Sequence, residues 1–113
     1  MYSKFLEMEK PDVINLLANE YELAKNTPSD INEHVETLYE YAKKCDHITE
    51  MGVRTGVSTR AFLNAKKTLR SYDMIQDQTV QGLFYAATNL FDAKYFNANT
   101  LDLEIEPTDL LFV

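Results

Sequence analysis

From His47 to the end of the chain, short runs of strand character alternate with stretches of helical period. No other property of the sequence restricts the fold as much. His47 to Met51 (HITEM) reads as a short strand, and Val57 to Lys67 as a helix with Ala61, Phe62 and Ala65 on its inner face. Thr68 to Met74 reads as a second strand. Asp77 to Asp92 is strongly helical, with Val80, Leu83, Phe84, Ala87, Leu90 and Phe91 recurring at helical spacing. Lys94 to Ala98 gives a third strand. After an irregular stretch closed by Pro107, Asp109 to Val113 (DLLFV) gives a fourth. Strands separated by helices predict an α/β fold with a parallel sheet, because parallel neighbours need a crossover between them. Right-handed crossovers predict helices on both faces.

Ahead of this unit the period is helical only. Pro11 suits the first turn of a helix, on which Ile14, Leu17, Tyr21 and Ala24 share a face. Asn26-Thr27-Pro28 ends it. Ser29 or Asp30 is expected to cap a second helix with the stripe Ile31, Val35, Leu38 and Ala42. The chain of 113 residues is read as one domain, with N-terminal helices in 1–45 and an α/β half-fold in 46–113.

Charge and composition remove several function classes. Eleven basic residues against eighteen acidic ones give a net charge of −7. That argues against nucleic acid as a partner, since gripping phosphates needs clustered Lys and Arg. No apolar run approaches the roughly 20 residues of a membrane span, and MYSKFLEMEK is not a signal peptide. The single Cys45 has no internal disulfide partner and reads as a small buried hydrophobe. No Cys/His cluster has metal-ligand spacing, and nothing makes His34 or His47 catalytic. A cytoplasmic protein without a structural metal is expected.

The chemistry concentrates where the first strand runs into a glycine loop, Glu50-Met51-Gly52-Val53-Arg54-Thr55-Gly56. In an open parallel sheet the ligand crevice lies at the carboxyl ends of the strands, where this loop falls. Gly52 and Gly56 allow positive φ or the close approach of a ligand. The helix start at Val57 to Thr59 offers N–H groups to a carboxylate or phosphate. Asp73 ends the second strand about 20 residues after the loop, where an acid can accept hydrogen bonds from a ribose. The loop is not the dinucleotide pattern G-x-G-x-x-G, since Arg54 occupies the middle glycine's place, and the Lys-Ser/Thr ending of a P-loop is absent.

The pattern E-x-G-x-x-x-G, followed by an acid at the next strand end, resembles motifs I and II of class I S-adenosylmethionine-dependent methyltransferases. Tyr95 to Asn99 resembles that family's third strand and Thr108 to Val113 its fourth. Ser29 to His34 resembles the helix placed before the first strand, so the resemblance covers about residues 29 to 113. It implies a truncated Rossmann-like methyltransferase fold with S-adenosylmethionine as cofactor. Gly52, Thr55 and Gly56 would line the methionine end. Glu50 would orient the loop or the ligand's ammonium group. Asp73 would take the ribose hydroxyls, Tyr72 and Met74 would flank the adenine, and Asn99 would hydrogen-bond its edge.

Each of these residues has a plainer reading. The two glycines can simply make a tight turn, Asp73 can cap the next segment, Tyr72 and Met74 can pack, and Asn99 can be a turn residue. Asp102, Glu104 and Glu106 alternate with Leu103 and Ile105 and read as a solvated face.

The family's sheet has seven strands in the order 3-2-1-4-5-7-6, and this sequence supplies the first four. The motif expected after the fourth strand and the acceptor side are missing, so no catalytic residue and no methyl acceptor are named. The apolar run Leu110 to Val113 reads as a strand covered on both faces. In the order 3-2-1-4 it would be an edge, with no Lys, Pro or bulge to blunt it. A homodimer through Asp109–Val113 is therefore expected. Two alternatives stand beside a methyltransferase-like protein: a non-enzymatic oligomerising or interaction module, and one half of a split methyltransferase.

Overall fold

The computed structural model describes residues 7–99 and 104–113. In chain order it contains α1 (Lys10–Asn26), a 3-10 turn (Asn32–His34), α2 (Val35–Ala42), β1 (His47–Met51) and α3 (Val57–Ala65). Then come β2 (Thr68–Asp73), α4 (Gln78–Ala87), β3 (Ala93–Asn97) and β4 (Leu110–Phe112). The strands form one parallel sheet in the order β3-β2-β1-β4. The register sets Glu50 beside Ser71 on one side and beside Phe112 on the other.

Ile48, Leu69 and Ala93 enter one core with Phe62 and Leu63 of α3, Val80 and Leu83 of α4, and Val13 and Leu17 of α1. Phe62 meets Phe112 edge-on, with centroids 5.6 Å apart. The α3 and α4 crossovers step the same way along the sheet, so their common handedness puts both helices on this face.

Helices were expected on both faces; the described ones occupy one. The described end of the connection from β3 to β4, residues 104–109, reaches the opposite face, where Glu106 meets Arg70. Its described residues form no helix, carry no apolar repeat of helical period and include Pro107. Glu106 anchors this segment. Arg70, on the same face as Thr49, donates from Nε to Glu106 at 2.7 Å and from Nη1 and Nη2 to the Asp92 carboxylate at 3.1 and 2.7 Å. The hydrogen bonds from Arg70 hold both carboxyls below the usual carboxylate range. Glu106 is thus an anchor as well as a solvated acid; Asp102 and Leu103 lie outside the described residues.

Several boundaries differ from expectation, each for a local reason. Helix α1 buries Val13, Leu17, Tyr21 and Ala24, while Ile14, one residue round the helix, is 42% exposed. Neither Ser29 nor Asp30 caps a helix. The Ser29 amide instead donates to the Asn32 side chain and the Ile31 amide to Ser29 Oγ, so these side chains build a turn before α2. Helix α3 stops at Ala65 because Lys66 turns left-handed, with φ 59°. Helix α4 is capped by Asp77, which accepts from the Val80 amide, and stops at Ala87. There the side chains of Thr88 and Asn89 donate to the carbonyls of Tyr85 and Ala86. Among the described residues strand β4 is covered on one face only: Leu111 is 48% exposed, and Val113, just past the strand, 86%.

Candidate functional site

The carboxyl ends of β1 and β4, the glycine loop and the start of α3 enclose a cleft of about 450 Å³. Its floor is Gly52, Val53, Thr55 and Ser58, its side Phe112 and Val113, and its roof Ser29 to Ile31. An exposed ion pair of 3.2 Å between Arg54 and Asp30 joins loop to roof. The volume falls in the range of small-molecule sites.

The two glycines do different work. Both have φ +87°. A Cβ on Gly56 would lie 2.5 Å from Val80 Cγ2 and 2.9 Å from Arg60 Nη1, so Gly56 packs α3 against α4. A Cβ on Gly52 would meet nothing within 4 Å, so the space above that residue is open. The chain here is fixed from β2, since the Gly52 amide donates to the Tyr72 carbonyl at 2.9 Å.

Glu50 is fully buried beneath the loop. Its carboxylate accepts from the hydroxyls of Ser58, Thr59 and Ser71, the latter two at 2.8 Å. One acid therefore ties β1 to the first turn of α3 and to β2. Burial pushes the Glu50 carboxyl up, and the three hydroxyls oppose that rise. The positive end of the α3 dipole favours the ionised form.

Asp73 is fastened to the loop from the other side. Its Oδ2 accepts the amides of Val53 and Arg54, both at 2.8 Å, and its Oδ1 that of Ile75 at 3.3 Å. Burial alone would raise this carboxyl, but the backbone N–H groups of Arg54, Ile75, Val53 and Met74 hold it below its ordinary value.

The residues singled out in the sequence thus separate into groups. Gly52 and Thr55 line the cleft, Gly56 and Glu50 support it from below, and Asp73 braces the loop. Tyr72 points to the opposite face of the sheet, where it is buried and stacked on Phe96 with centroids 5.0 Å apart. Met74 is 63% exposed beside Asp73, and Asn99 is exposed beyond the end of β3; neither lines the cleft. Sequence reasoning named the amides at Val57 to Thr59 but missed the Ser58 side chain, which lines the cleft and bonds Glu50, and Ile75, which stands 80% exposed next to Asp73. The signal for Ser58 was a Ser-Thr pair opening a helix directly after the acid-glycine loop. A second hollow of about 270 Å³, between α4 and β3, is lined by Phe84, Tyr85, Tyr95 and Phe96 and contains none of the singled-out residues.

No protein-family profile and no curated protein matches the chain. Solved structures do. The SAH-bound methyltransferase PaMTH1 of Podospora anserina aligns with TM-score 0.51 and 17% identity, over 84% of this chain and 47% of that one. Cofactor-bound Rv0187 from MTB aligns with TM-score 0.53 and 16% identity, over 91% of this chain and 52% of that one. The chain spans about half the length of these structures. Together with the parallel order β3-β2-β1-β4, this defines a Rossmann-like methyltransferase fold. Among the described residues no helix is long and apolar enough to cross a membrane, and no cluster of His, Cys, Asp and Glu could hold a metal ion.

Proposed function

We propose that this chain is the cofactor-binding half of a methyltransferase-like protein and binds S-adenosylmethionine in the cleft above the glycine loop. The observation that carries the reading is the open space over Gly52 at the carboxyl end of β1. The acid-braced loop on both sides of it gives that space a fixed floor. In this reading the amino-acid end of the ligand lies over Gly52, Thr55 and Ser58, against the amides that open α3. Asp73 takes the ribose. Met74 and Ile75 offer apolar surface to the base, and Asn99 hydrogen-bonds its edge. Bound cofactor would supply an electrophilic methyl for in-line transfer to a nucleophile, and these residues would orient it. The acceptor side belongs to the half of a methyltransferase that this chain does not span. We place the protein in the cytoplasm, where Cys45 stays a thiol.

Titration calorimetry with S-adenosylmethionine and S-adenosylhomocysteine tests the reading. Saturable heat with either supports it; absence of heat at millimolar ligand discards it and leaves the loop as a turn.

The β4 edge supports a second proposal, a homodimer through Asp109–Val113. Among the described residues β4 pairs only with β1, and Leu111 and Val113 are exposed. Two copies joined there would continue the sheet across a two-fold axis. Sedimentation should report a dimer. A monomer at micromolar concentration removes that proposal; a monomer that pairs with a second polypeptide favours a split enzyme.

A further inference from the structure

The carboxylate of Asp73 is already engaged. Both bonds to its Oδ2 come from the crest of the glycine loop, at Val53 and Arg54. Arg54 is left-handed there, with φ 54°, a conformation that an ordinary L residue keeps only when its surroundings hold it. The other tie on Arg54 is the pair with Asp30, whose side chains are 82% and 70% exposed, and exposed pairs hold weakly. The grip of Asp73 is stronger, since an ionised carboxylate accepts from two amides at 2.8 Å. Its Oδ1 accepts the Ile75 amide at a long 3.3 Å and faces away from the loop crest, on the side where a further donor can reach it.

We infer that Asp73 is a positioning residue that couples the two ends of the cofactor site, an inference that rests on the cofactor reading above. One oxygen shapes the loop under the amino-acid end of the ligand, while the other accepts a hydroxyl from its sugar. A nucleoside bound at Oδ1 thereby draws on the same carboxylate that fixes the floor for the amino acid. Direct contact with the sugar alone would not give Asp73 any influence over the distant end.

Two ligands separate these roles. S-Adenosylhomocysteine carries the amino-acid tail; methylthioadenosine has the same nucleoside without it. In Asp73→Ala, affinity for S-adenosylhomocysteine should fall at least about tenfold further than affinity for methylthioadenosine, each relative to the unaltered protein. Hydrogen exchange at the amides of Val53 and Arg54 should quicken by at least about tenfold. Asp73→Asn keeps a side-chain oxygen for the loop amides. It should bring exchange and the ratio of the two affinities back toward the unaltered protein while both ligands bind more weakly. It also keeps the test readable should the alanine variant not fold.

Equal losses for both ligands with unchanged exchange overturn the inference and leave the cofactor reading standing. If the unaltered protein binds neither ligand, the cofactor reading fails and the coupling fails with it. Exchange then still decides whether Asp73 holds the loop.

Discussion

Replacing Glu50 with alanine should cost roughly 3–4 kcal/mol of folding stability in urea unfolding, while glutamine should stay within about 1 kcal/mol of the unaltered protein. The difference lies in what remains beside the hydroxyls of Ser58, Thr59 and Ser71. Alanine leaves three buried donors without their acceptor and a void where the fully buried side chain stood. Each orphaned group costs about 1 kcal/mol or more, and the void adds to that. Glutamine has the same shape, offers one oxygen and one NH2 group, and the hydroxyls can rotate to suit it.

The pH dependence should separate the two forms further. Burial, opposed by the hydroxyl bonds, leaves the folded carboxyl above its ordinary value. The folded state therefore holds that proton more tightly than the unfolded chain does. This contribution is greatest below the unfolded value of about 4.3, and it declines as pH rises from there through the folded value. Glu50→Gln should lack the decline, which thermal unfolding across that window would show. An alanine variant as stable as the original, or a glutamine variant as damaged as alanine, would mean that the carboxylate does not organise the loop.

Alanine at the two glycines should act on different properties, stability at Gly56 and ligand affinity at Gly52. Gly56→Ala should lose about 3 kcal/mol, because its Cβ meets Val80 Cγ2 at 2.5 Å and its φ of +87° is strained for alanine. Val80 is fully buried and cannot swing away into solvent. Gly52→Ala should lose only about 1 kcal/mol, since nothing lies within 4 Å of its added carbon and only the backbone strain remains. Its larger effect should fall on S-adenosylhomocysteine, whose affinity should drop by about tenfold or more where the methyl occupies the ligand's space. Equal stability losses at both glycines, with ligand binding untouched by Gly52→Ala, would reduce the loop to a turn.

The sheet was legible because its cause is local. The alternation of strand and helix from His47 onward dictates parallel pairing, while the order 3-2-1-4 was read from the resemblance carried by the glycine loop and Asp73, not from the alternation. The loop from Glu50 to Gly56 was legible because an acid and two glycines at a strand end have few uses.

Other features depend on partners distant in the chain. Arg70 draws Asp92 and Glu106 from 22 and 36 residues away, and no local pattern announces that cluster. Ser71 reads as a polar interruption in a strand until the register sets it beside Glu50. The capture of Asp73 by the amides of Val53 and Arg54 goes with a left-handed turn at Arg54, a residue type that does not signal one. Ile14 was placed inward because it is apolar, yet a turn of one residue put Val13 in the core.

The most direct test of the cofactor cleft is a titration of isotopically labelled protein with S-adenosylhomocysteine, following backbone amide shifts. The largest changes should fall at Gly52 to Ser58 and at Asp73 to Ile75, with the amides of Lys94 and Tyr95 beside the second hollow left in place. No change at millimolar ligand, or changes confined to that hollow, would contradict the account.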